Sequence, residues 1–126
     1  MKRRLEQPGP APERSMEGGS GTVLALGLGL VIIMATALIV LLAQSAVLAS
    51  RAAAAADLAA LAAADAARGI TNGEPCAVAE AVALRNNAAV LSCSEGDGET
   101  VQVRTELGTR TLFGAATGQA RAGPPP

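Results

Sequence analysis

No charged side chain occurs between Gly18 and Ser50, and from Thr22 to Ala43 every residue except Thr22 and Thr36 is apolar. A helix rises about 1.5 Å per residue and the hydrocarbon core of a bilayer is about 30 Å thick, so this stretch has the length of a membrane span. The whole chain is 126 residues, too little protein to surround such a helix in a soluble core. The expectation is therefore a transmembrane helix over 22–50, with the lipid bilayer as its first partner. A cleaved secretory signal also pairs a basic start with an apolar run, but its apolar region extends only about 7 to 15 residues. The sites that would suit a signal peptidase, Ala43-Gln44-Ser45 and Val47-Leu48-Ala49, lie far along the chain. Lys2, Arg3, Arg4 and Arg14 precede the span, against Arg51 and Arg68 after it. Basic residues favour the cytoplasmic side, which places the N-terminus inside a cytoplasmic membrane crossed once and the C-terminal domain outside.

Composition then limits the domain. Half of the residues are hydrophobic, yet Phe113 is the one aromatic and there is no Trp or Tyr. The apolar content is Ala, Val and Leu, a thin core that calls for a staple, a partner or a membrane. The net charge is −1 and no basic cluster is interleaved with aromatics, which disfavours a nucleic-acid partner. The absence of His removes the commonest general base and metal ligand.

Along the chain, residues 1–21 mix charges with Pro8, Pro10, Pro12 and several glycines, the composition of a disordered cytoplasmic tail. Beyond the span, Ala52 to Ala67 is nearly all Ala, without Gly or Pro, so the helix is expected to continue over 51–69 as an extracytoplasmic half ending at Arg68-Gly69. Asp57, Leu61 and Asp65 share one face at i, i+4 spacing; with Leu58 and the alanines they offer a low-profile surface for close helix packing. The same alanine stripe could equally pack on the protein's own domain. Thr71-Asn72-Gly73-Glu74-Pro75 reads as a loop, with Pro75 in the first turn of a second helix over about Cys76 to Arg85 that ends at Asn86-Asn87. A strand over Ala88 to Ser94, a tight turn over Glu95 to Glu99 and a strand over Thr100 to Leu107 make a hairpin, with Val101, Val103, Thr105 and Leu107 on one face. Leu112 and Phe113 follow as expected packing anchors in a loop, and Ala115 to Ala122 could add a third strand. The terminal prolines, 124–126, cannot join a sheet interior and form a disordered end. The fold class is α+β and membrane-anchored: one long helix, one short helix and a small antiparallel sheet of two to three strands, the last two making a small α+β domain over 70–123.

Cys76 and Cys93 are 17 positions apart with a helix-to-strand reversal between them. In an oxidising compartment they would form a disulfide worth about 3 kcal/mol by the loop-entropy model. Two buried thiols are the alternative. Two sulfurs without His or a second Cys pair do not complete a zinc site, and no Cys-x-x-Cys redox pattern is present.

Gly18-Gly19-Ser20-Gly21-Thr22-Val23-Leu24 leading into the apolar helix, and the block from Arg51 through Asp57-Leu58-Ala59-Ala60-Leu61 to Ala64, resemble the TadE/TadG-like proteins of bacterial Flp (Tad) pilus loci. The likeness is greatest to the short actinobacterial TadE-like group, which similarly carries a Cys pair, a Val-rich strand and an Ala/Arg-rich C-terminal stretch, here Ala120-Arg121-Ala122-Gly123-Pro124. The resemblance implies a pilin-like or pseudopilin-like accessory protein whose partners are other Tad-type pilus or secretion components. It also implies prepilin-type cleavage between Gly19 and Ser20. In that frame the fifth mature residue is Leu24, where such proteins carry a Glu.

A membrane-tethered binding module unrelated to pili would use the same topology. An enzyme is the weakest reading, and no cofactor or small-molecule substrate is expected. Asp57 and Asp65 lie about 12 Å apart along a helix, the serines have no His to activate them, and the Glu95, Asp97 and Glu99 turn lacks the spacing of a calcium loop.

Overall fold

The computed structural model describes residues 14–125, with side chains from Gly19 onward. Among these residues, two helices, α1 (Arg14–Ala67) and α2 (Pro75–Arg85), precede three strands, β1 (Ala88–Gly96), β2 (Thr100–Thr111) and β3 (Gly114–Ala122). The strands form one antiparallel sheet in sequence order. The expected α+β class is therefore present, including the third strand.

Helix α1 starts at Arg14, earlier than the expected Thr22. Residues 14–21 are helical where a disordered tail was expected; the rest of that tail, residues 1–13, lies outside the described residues, as does Pro126. Glycine costs about 1 kcal/mol in a helix, but Arg14 to Glu17 contain no breaker, and extending a helix that already exists avoids the cost of nucleation. The other end is a Schellman stop: Gly69 takes a φ of +75°, its N–H donates to Ala66 O at 3.0 Å, and Ile70 N–H donates to Asp65 O at 2.9 Å.

The chain divides into two compact units between Leu41 and Leu42, inside the uncharged apolar segment. In the first unit α1 is bare, with Val23, Leu24, Ile33 and Ile39 well exposed. Its most apolar window has a mean hydropathy of 2.8 and no buried residue. Among the described residues, one helix is thus long and apolar enough to cross a membrane.

In the second unit the later part of α1 packs on the sheet. Ala52, Ala55, Ala56, Ala59, Ala60, Ala63 and Ala64 are buried, the three- and four-residue spacing of one helical face. All of these except Ala56 join one cluster with Val101, Val103 and Leu107 of β2 and Ala79 and Ala83 of α2. Thr105 shares that inward face of β2, as the alternation requires. The largest fully buried side chains are Val101, Val103 and Thr105, so the core is built from close backbone approach rather than from bulk. Gly118 on β3 shows why: a Cβ there would run into the Ala52 carbonyl and the Ala53 nitrogen. Beside it the Thr105 hydroxyl donates to Ala52 O at 3.1 Å.

Two strand boundaries move outward. β1 continues to Gly96 and β2 to Thr111, leaving Asp97-Gly98-Glu99 as the first turn, with positive φ at Gly98 and Glu99. The second turn is Leu112-Phe113, and here the expectation of packing anchors is corrected: Leu112 is 96% and Phe113 86% exposed. They sit at the tip of the β2–β3 hairpin, where Thr111 pairs with Gly114, and an alanine-lined core offers no cavity to receive them. Pro124 and Pro125 follow β3 outside regular structure.

Candidate functional site

Helix α1 of the second unit has two faces of opposite fate. At about 100° per residue, Asp57, Leu58, Leu61 and Asp65 fall within about a 100° arc, turned away from the buried alanines. Leu58 and Leu61 are 48% and 57% exposed, Asp57 is exposed and Asp65 half-buried. The alanine stripe is used up by the domain's own sheet. What remains for another molecule is the leucine stripe flanked by two carboxylates, continuous along the helix with exposed Val47 and Ala54.

Gly19 and Ser20, the positions expected at a cleavage point, lie within α1. Cutting that peptide bond requires the helix to open locally, which glycine on either side makes cheaper. A Cβ on Gly19 or Gly21 would meet nothing within 4 Å.

Cys76 and Cys93 are joined in a disulfide with Cα atoms 5.9 Å apart, tying the first turn of α2 to β1. Glu74 caps that same turn: its two carboxylate oxygens accept from Cys76 N–H at 3.2 Å and Ala77 N–H at 2.8 Å. Glu74, Cys76 and Glu95 bring their side-chain ligand atoms within 4.8 Å of one another. Cys76 is committed to its disulfide and Glu74 to the helix cap, so the group secures α2 and offers no thiolate to a metal.

A cleft of about 360 Å³ opens where α1, the end of α2 and β2 meet, lined among others by Leu48, Arg51, Arg85, Asn87, Leu107 and Thr109, with no carboxylate in its walls. Sequence reasoning did not single out this cleft, because Arg51 and Arg85 are far apart in the chain and come together only through the packing of both helices on β2. It also did not single out Gly118, although a glycine inside a strand is a recognised sign of close backbone approach.

Comparison of the chain with models of protein families, with curated proteins and with solved structures finds no match.

Proposed function

We propose that this protein is a single-pass, pilin-like accessory component of a Tad/Flp-type pilus or secretion assembly in a bacterial cytoplasmic membrane, with its stapled α+β domain on the outer side. The observation that carries the reading is the leucine stripe of α1. Leu58 and Leu61 stay exposed although the opposite face of the same helix is packed to completion with alanine. A helix that leaves lipid and continues outward with an uncovered apolar stripe is suited to lateral packing against a neighbouring helix. Asp57 and Asp65 at the edges of that stripe would favour a partner with basic groups at matching heights. The role is structural and requires no catalytic group.

Site-specific photocrosslinking in cells that carry such an assembly tests this. A photoreactive residue at Leu58 or Leu61 should give adducts with pilus or secretion components, and Leu58→Asp together with Leu61→Asp should remove the protein from the assembly while leaving its level in the membrane unchanged. Adducts that persist unchanged when the assembly ATPase is deleted would favour a free-standing membrane-tethered binding module. Photoreactive groups at both positions that find no protein at all would overturn lateral packing.

A further inference from the structure

The β2–β3 hairpin breaks a rule that the other hairpin obeys. The β1–β2 turn is Asp97-Gly98-Glu99, polar and glycine-containing as turn chemistry favours, whereas the β2–β3 turn presents Leu112 and Phe113 almost fully to the outside. Neither side chain contributes to the core. The turn is nonetheless held in shape: Thr111 Oγ1 donates to Gly114 O at 2.8 Å, Phe113 N–H donates to Thr111 Oγ1 at 3.3 Å, and Gly114, the first strand residue after the turn, takes a φ of +98°, a conformation that favours glycine. A closed turn carrying the chain's one aromatic residue at its tip departs from local preference without any return in packing, which is what a contact site does.

The direction of the hairpin identifies the contact. Within the unit Leu42–Pro126, β2 runs opposite to α1. Thr100 shares a small cleft with Ala66 and Ala67, Thr105 bonds to Ala52, and Leu107 and Thr109 line a cleft with Leu48 and Arg51. The turn lies three residues beyond Thr109, up to about 10 Å at the strand rise, which equals about six or seven residues of helix and brings it toward the first turn of α1 in this unit, Leu42 to Ser45. That is the end of the unit where α1 is still uncharged and its apolar side chains, Leu42 and Val47, are exposed. Between the turn and the alanine core stands the cleft holding Arg51 and Arg85, and Arg110 is exposed near the tip. Apolar side chains at one level and guanidinium groups next to them reproduce the layering of acyl chains and phosphate at a membrane surface.

We infer that the β2–β3 hairpin is a second membrane contact, with Leu112 and Phe113 inserted among the acyl chains of the leaflet from which α1 emerges and Arg51 and Arg85 facing lipid phosphate. This rests on the reading of α1 as a membrane span. It fixes the domain against the bilayer and thereby sets which way the leucine stripe faces.

The chain contains no Trp, so single-Trp reporters can be read directly in the full-length protein. Phe113→Trp and, as a control inside the span, Ile32→Trp are each reconstituted into vesicles of phosphatidylcholine alone or with phosphatidylglycerol, with and without brominated acyl chains. The expected result is blue-shifted emission and strong bromolipid quenching at both positions, with quenching at 113 increased by phosphatidylglycerol and that increase abolished by Arg51→Gln with Arg85→Gln. Quenching at 32 with water-like, unquenched emission at 113 overturns the hairpin contact and leaves the span standing. Blue-shifted but unquenched emission at 113 means that protein, such as a second copy, covers the tip, and also overturns it. Quenching at 113 that is indifferent to phosphatidylglycerol and to the arginine substitutions removes the phosphate role. Absence of quenching at 32 defeats the span itself, and the inference with it.

Discussion

Two residues fix how closely α1 lies on its sheet. Gly118 admits the Ala52 carbonyl where any side chain would collide with backbone, and Thr105, fully buried, donates its hydroxyl to that same oxygen. Buried hydroxyls are costly without a partner, so the helix cannot retreat from the sheet without breaking the Thr105 bond, and Gly118 is what lets it come close enough to form that bond. Backbone, unlike the end of a flexible side chain, does not move aside. Gly118→Ala should therefore destabilise the full-length protein in detergent by about 1–3 kcal/mol, the usual range for overpacking a tight core, read as a lower urea midpoint at unchanged slope. Gly21→Ala, where nothing lies within 4 Å, is the control and should cause no loss. Equal midpoints for Gly118→Ala and the parent would mean that helix and sheet are more loosely apposed than the geometry requires.

The elements differ in how plainly the sequence announced them, and the differences have physical causes. The alternation of Val101, Val103, Thr105 and Leu107 was legible because a half-buried strand has a period of two. Helix α2 was legible because Pro75 at its first turn and the asparagines after Arg85 mark both ends. The Cys76–Cys93 disulfide followed from count, spacing and the reversal between helix and strand. The choice between an alanine face offered to a partner and one packed at home was open, since periodicity states that a stripe must be covered and is silent on what covers it. Leu112 and Phe113 were misplaced for the same reason: hydrophobicity alone does not distinguish a side chain bound for the core from one bound for another molecule. Among these elements the disulfide has the most measurable weight. It closes a 17-residue separation, and in a core whose largest fully buried side chains are Val and Thr the remaining contacts between α2 and β1 are made by small side chains such as Ala79, Ala83 and Ala88. Replacing both cysteines with serine should cost about 3 kcal/mol, seen as a large drop in urea midpoint matched by treating the parent with reductant. A loss well under about 1 kcal/mol would show that the denatured chain is not appreciably constrained by the ring.

At the scale of the molecule, chemistry and packing divide the chain at different places. By chemistry the uncharged segment runs to Ser50; by packing the second unit begins at Leu42, so the last turns of the apolar segment belong to the body that includes the sheet. The most apolar stretch of α1 contributes nothing to the core, as none of it is buried, while the alanine half supplies one whole wall of that core. The exposed apolar half and the packed alanine half of one continuous helix are therefore separable in folding. A fragment beginning at Leu42 should fold by itself into the same α+β domain. It should unfold cooperatively, form the Cys76–Cys93 bond on oxidation, and protect the amides of Ala52 to Ala64 and of β2 from hydrogen exchange. A fragment beginning at Gly69 lacks the alanine wall, leaves Val101 and Val103 open to water, and should lack a cooperative transition. The contrast between the two fragments isolates the alanine half, because both lack the apolar window and both retain the disulfide. If the longer fragment were as disordered as the shorter one, the apolar segment before Leu42 would have to be a part of the folding unit, and the division at Leu41 would not be a division in stability.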